Sequence, residues 1–107
     1  MREITVGELA AKLKSGESVH LLDVRQSWEH DVAALPRSVL VPLDELPARV
    51  HNLDFPDGAL IVTYCHHGMR SLSAAAVLAQ AGVTGVVSLA GGIDAWSRLV
   101  DTSVPRY

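Results

Sequence analysis

Ala59-Leu60-Ile61-Val62-Thr63-Tyr64-Cys65-His66-His67-Gly68-Met69-Arg70-Ser71 is the stretch on which the reading of the fold turns. Ala59 to Tyr64 is an apolar run of strand length, as expected where both faces of a parallel sheet are covered. Beyond it, Ser71 to Ala81 sets Leu72, Ala75, Ala76 and Ala79 on one helical stripe and stops at Gly82, a residue suited to a left-handed cap. Cys65 to Arg70 therefore fill the step from the carboxyl end of a buried strand to the start of a helix.

The same alternation extends outward. Thr5 to Glu8 has the T-x-x-E form of a capping box, with Leu9, Ala10 and Leu13 at helical spacing and a stop at Ser15-Gly16. Val19 to Val24 and Ser38 to Val41 read as strands, the second ending at Pro42, and Ser27 caps a brief turn of helix between them. Leu43, Leu46 and Val50 share a helical face, so Asp44 to His51 is expected to be a helix with Pro47 in its first turn. Gly85 to Leu89 reads as a further strand, and Gly91-Gly92 turns the chain into a last helix carrying Ile93 and Trp96. This order predicts one α/β domain over residues 1–107 around a mostly parallel sheet, with its site beyond the carboxyl ends of the strands.

Composition narrows the function classes. A formal charge of -3 offers no basis for gripping a polyanionic backbone, so no nucleic-acid partner is expected. A single cysteine can form no internal disulfide, which suits a reducing cytoplasm. Met1-Arg2-Glu3-Ile4-Thr5 does not open a signal peptide, and no apolar stretch approaches the roughly 20 residues of a spanning helix. A soluble cytoplasmic protein without a membrane partner is the expectation. No Walker-type or dinucleotide glycine fingerprint is found, and no cofactor is expected.

A loop that runs into a helix N-terminus turns successive N–H groups toward one point, where the helix dipole also favours negative charge. Cys65 stands at that point, and such surroundings favour a thiolate. Gly68 lets the loop take a positive φ or approach a ligand closely, and Arg70 adds a permanent cation with donors matched to oxyanions. By residue type alone a lone cysteine is an inert core residue. The joint pattern of strand, Cys, Gly, Arg, Ser and helix favours a reactive one.

Cys65-His66-His67-Gly68-Met69-Arg70-Ser71 resembles the C-x-x-G-x-R-S active loop of rhodanese-like sulfurtransferases. Asp23-Val24-Arg25 with Glu29 resembles that family's D-V-R-x-x-x-E signature, and Leu35-Pro36 and Gly91-Gly92-Ile93-Asp94-Ala95-Trp96 agree with it. The resemblance implies a three-layer fold with about five mostly parallel strands and helices on both faces. It implies that Cys65 accepts sulfane sulfur from a donor such as thiosulfate or a protein persulfide. The sulfur then passes to a thiophilic acceptor: cyanide in vitro, a thiol or a sulfur-carrier protein in the cell. Arg25 and Arg70, assisted by His66 or His67, are the expected donor-binding residues, and Asp23 and Glu29 are structural. Arg25 has an alternative reading, an ion pair with Asp23 or Glu29.

Rival readings are a regulatory or docking module that keeps the fold without turnover, and a cysteine-dependent phosphatase. The phosphatase loop places five residues between Cys and Arg, whereas residues 66–69 alone intervene here. His66 and His67 leave charge at the loop mouth dependent on pH near neutrality. His20, His30 and His51 belong to other elements, so no metal is expected. Ala33-Ala34-Leu35-Pro36-Arg37-Ser38 departs from the family's G-H-I-P-G-A, and a turn of different shape is expected there. Trp28 and Trp96 read as packing residues. Val104-Pro105-Arg106-Tyr107 resembles the tail of rhodanese domains fused to adenylating enzymes that load sulfur carriers, which points to a sulfur-carrier protein or a cysteine desulfurase as partner.

Overall fold

The computed structural model describes residues 2–107. Five strands, β1 (Glu3–Ile4), β2 (Val19–Asp23), β3 (Val39–Leu40), β4 (Leu60–Tyr64) and β5 (Val86–Leu89), form one sheet in the order β1-β5-β4-β2-β3. Every pairing is parallel. The helices are α1 (Val6–Lys14), α2 (Ser27–Val32), α3 (Leu46–Arg49, running into a 3-10 turn over Val50–Asn52), α4 (Met69–Gln80) and α5 (Gly92–Leu99). β4 lies at the centre, paired with β2 from Val19↔Leu60 to Asp23↔Tyr64.

Alternation along β4 sorts side chains between two layers. Val62 and Tyr64 join Val6 and Leu9 of α1 and Ile93 and Trp96 of α5 on one face. Ile61 and Cys65 join Leu46 of α3 and Ala74, Ala75 and Leu78 of α4 on the other. This is the three-layer α/β arrangement expected.

Local chemistry explains the boundaries. Thr5 and Glu8 close the capping box of α1, each backbone N–H bonding the other's side chain at 3.0 and 3.1 Å. α2 starts from Gln26 rather than being capped by Ser27, since Gln26 N–H donates to Glu29 Oε1 at 3.1 Å. α4 begins at Met69, two residues before the Ser71 start that apolar spacing gives, because Gly68 takes the cap position in a left-handed conformation. α3 is shorter than Asp44 to His51, and β1 is too short to show any periodicity.

Two side-chain expectations need correction. Trp96 is buried, but Trp28 is 59% exposed and meets the Tyr107 ring edge-on at 5.8 Å. At the turn before β3, Ser38 N–H donates to Leu35 O at 3.2 Å and Arg37 adopts φ 62°, a left-handed backbone that glycine enters without steric cost. The turn therefore keeps a shape that suits glycine, with an exposed arginine strained into it. Arg37→Gly is expected to stabilise the fold by about 0.5–1 kcal/mol, the left-handed penalty less the entropy that glycine costs. A thermal melt should show Tm rising by a few degrees; an unchanged or lower Tm would mean that the turn carries no such strain.

Candidate active site

The loop between β4 and α4 wraps around one sulfur. Gly68 N–H donates to Cys65 Sγ at 3.1 Å and Ser71 N–H at 3.4 Å, and Ser71 Oγ lies 3.6 Å from the same atom. Gly68 reaches this geometry at φ 108°, with a virtual Cβ only 3.3 Å from Gly91 N, so a side chain there would meet both strain and backbone. Behind the sulfur, Ser71 Oγ donates to Gly68 O at 3.2 Å and is 2.7 Å from Ser88 Oγ on β5. Thr63 Oγ1 donates to Ser71 O at 2.8 Å. The first turn of α5 grips the outside of the loop: Ile93 N–H donates to Cys65 O at 2.9 Å and Asp94 N–H to His66 O at 3.1 Å. Gly92 packs so closely on those two carbonyls that no Cβ fits.

Cys65 itself lies deeper than the sequence suggests. It is 2% exposed and packs among Leu22, Val24, Val41 and Ala74, while Met69 on the rim is 77% exposed. The sulfur is the floor of the loop rather than its mouth.

Arg25 is fully buried. Its Nε and Nη2 donate to Asp23 Oδ1 and Oδ2 at 2.8 and 2.6 Å, Nη2 also donates to Ala33 O at 2.6 Å, and Nη1 donates to Tyr107 OH at 2.8 Å. These contacts correct the expected donor-binding place of Arg25: they match its ion-pair reading, with Asp23 as partner. Asp23 Oδ2 also lies 2.8 Å from His30 Nδ1 and accepts Tyr64 OH at 3.1 Å. Burial, and then the Asp23 charge, push the Tyr64 hydroxyl up to about 12, so it remains a donor.

Arg70 does sit beside the loop, but its fork is occupied. Nη1 and Nη2 donate to Glu29 Oε1 and Oε2 at 2.6 and 2.9 Å, a bidentate pair. Tyr107 OH joins these and the Gln26 N–H as a fourth donor to Glu29, at 2.6 Å. The Arg70 hydrogen bonds, reinforced by Tyr107 against the opposing effect of burial, bring the Glu29 carboxyl down to about 2.

His66 is held between rings: Tyr107 lies over it at 4.0 Å and 9°, and His67 stacks on it at 4.0 Å and 26°. Burial, then the neighbouring His67, lowers the His66 pKa and favours the neutral ring. Asp94 joins the two histidines to give three potential metal ligands within 4.8 Å of one another. The donor set suits a cation poorly, because Asp94 already binds Arg98 Nε and Arg106 Nε, each at 3.0 Å. Sequence reading missed Ser88, Asp94 and Tyr107 as parts of the site. Ser88 carried a signal as a hydroxyl inside an otherwise apolar strand, while Asp94 and Tyr107 lay in stretches quoted for resemblance without a role at the site.

The Rhodanese-like domain pattern matches residues 5–99. The chain belongs to the rhodanese-like family. This rhodanese-like chain is 35% identical over 98 residues to a sulfurtransferase of Allochromatium vinosum, covering 92% of itself and 90% of that protein. It is 33% identical over 104 residues to the probable adenylyltransferase/sulfurtransferase MoeZ of Mycobacterium tuberculosis, covering 97% of itself but 26% of that longer protein. Its fold matches a rhodanese-like domain protein from Staphylococcus aureus with a TM-score of 0.82 at 28% identity, over 100% of this chain and 99% of that one. These likenesses make the domain sulfurtransferase-like in general.

The Glu29–Arg70 pair gives the rhodanese-like domain an acid limb. Glu29 titrates at about 2 in the fold against an ordinary 4.5, so its contribution is complete above 4.5 and is lost as pH falls toward 2. Glu29→Gln should cost about 2–3 kcal/mol at pH 7, with the gap to wild type closing between pH 4.5 and 2. Urea melts across that range check this; a gap independent of pH would contradict it.

Proposed function

We propose that this domain transfers sulfane sulfur through a persulfide on Cys65. The carrying observation is the pair of backbone donors, Gly68 N–H and Ser71 N–H, aimed at Sγ. With thiosulfate, the Cys65 thiolate attacks the outer sulfur. A new S–S bond forms, the donor's S–S bond breaks, and sulfite leaves with that electron pair. Cyanide or a thiolate then attacks the terminal sulfur of the persulfide and takes it, which returns the Cys65 thiolate. Fixed N–H dipoles stabilise negative charge on sulfur through both half-reactions without reorganising. Arg70 contributes positive charge at the loop, while its hydrogen bonds stay on Glu29.

The acceptor class follows less directly. The tail Val104 to Tyr107, with the match to the probable adenylyltransferase/sulfurtransferase MoeZ, supports a sulfur-carrier protein as acceptor, and a cysteine desulfurase is the donor class proposed to go with it. The lone thiol suits a reducing compartment such as the cytoplasm. Among the described residues, no helix is long and apolar enough to cross a membrane.

A second reading, a docking module without turnover, is favoured by one observation, the 2% exposure of Cys65. Intact-mass measurement separates the two. After incubation with thiosulfate, the wild type should gain one sulfur atom, lose it on addition of cyanide, and alkylate rapidly at mildly acidic pH. Cys65→Ala should gain nothing. A wild type that stays at its starting mass, or a Cys65→Ala variant that loads sulfur, would overturn the persulfide.

A further inference from the structure

The residues after α5 come back over the carboxyl edge of the sheet. Ser97 Oγ donates to Val104 O at 2.6 Å, Arg106 Nε reaches Asp94 at 3.0 Å, and Val104 and Tyr107 pack on the core. Tyr107 ends between the Cys65 loop and α2. Its ring lies flat on His66, which continues the stack onto His67. Its hydroxyl donates to Glu29 Oε2 at 2.6 Å and accepts from Arg25 Nη1 at 2.8 Å. Glu29 in turn holds both Nη groups of Arg70. A single side chain from outside the loop thus contacts the residue that follows Cys65 and, through one carboxylate, the residue that precedes Ser71.

We propose that Tyr107 is a positioning residue for the Cys65 loop, its ring setting His66 at the start of the loop and its hydroxyl setting the Glu29–Arg70 pair at the end. Its effect on turnover rests on the sulfur-transfer reading; its effect on the thiol does not. The loop needs such a brace because its rim side chains, His67 and Met69, are exposed to solvent. Gly68 must nonetheless keep its N–H within 3.1 Å of the sulfur. The ring and the hydroxyl are separable. Phenylalanine keeps the stack, whereas alanine removes both.

The test is a double-substitution cycle. Tyr107→Phe and Tyr107→Ala are made in the wild type and in a His66→Ala background, and each protein is checked for folding by circular dichroism. Rates of sulfur loading from thiosulfate and of Cys65 alkylation by iodoacetamide are then measured. Tyr107→Ala should slow both by about 10-fold, the scale of a modest misplacement at a reacting centre. Tyr107→Phe should cost about 3-fold, because it keeps the stack while removing the hydroxyl's two hydrogen bonds, to Glu29 and from Arg25. In the His66→Ala background, alanine at 107 should cost no more than phenylalanine, since the ring has lost the partner through which it acts. Should Tyr107→Ala not fold, Tyr107→Phe decides, and a wild-type rate in it would refute the hydroxyl's part and with it the proposal. Wild-type rates in Tyr107→Ala, faster rates that mark the tail as a lid, or an equal cost in both backgrounds would each overturn the brace. A wild type that gains no sulfur would remove the persulfide reading alone, because the alkylation rates still decide whether Tyr107 positions the thiol.

Discussion

The first turn of α5 holds the carbonyls of Cys65 and His66, and that grip fixes the first two peptides of the loop. A trans peptide carries its C=O and N–H on opposite sides. With those carbonyls anchored outward, the N–H groups of His66 and His67 turn away from α5, and Gly68, in its left-handed conformation, takes the chain into α4 with its own N–H and that of Ser71 on Sγ. The grip demands contact that no side chain permits, which is why Gly92 stands where it does. The sulfur is enclosed as a result. Negative charge placed on it meets oriented donors on the loop side and the Ser71 hydroxyl, which Ser88 of β5 holds in turn.

Around this cradle runs a chain of charges in which every acid has a cation. Asp23 with Arg25 is completely enclosed, with every guanidinium nitrogen hydrogen-bonded, the condition under which a buried pair is tolerable; removing one partner would strand the other. Glu29 with Arg70 lies closer to solvent and ties α2 to the start of α4. Tyr107 OH joins the two pairs, since it accepts from Arg25 and donates to Glu29. The network therefore serves shape as much as charge: it ties the turn after β2, the start of α4 and the tail into one assembly at the sheet's carboxyl edge.

Much of this was legible in the residues. The apolar run before Cys65, the stripe after Ser71 and the Gly91-Gly92 pair placed the strand, the helix and the close approach where they are. The strand read over Ser38 to Val41 is β3, but β1 could not be read, because a two-residue strand acquires its identity from its neighbour in the sheet rather than from its own pattern. Arg25 and Trp28 show the other limit. Their residue types suited a binding cation and a packing aromatic, yet the fold buries the first against Asp23 and exposes the second. Tyr107 stood out only as part of a tail resemblance, and its place at the site could not be read, because its partners lie far away in sequence, at Arg25, Glu29 and His66.

The central claim is that the N–H groups of Gly68 and Ser71 bear the negative charge on a sulfur attached to residue 65. Backbone amide NMR of the free and thiosulfate-loaded protein tests it most directly. The account predicts that the Gly68 and Ser71 amide protons move further than those of any strand residue on loading and return when cyanide removes the sulfur. If those two signals stay fixed while the loaded species is present, the cradle does not hold the charge and the account is wrong.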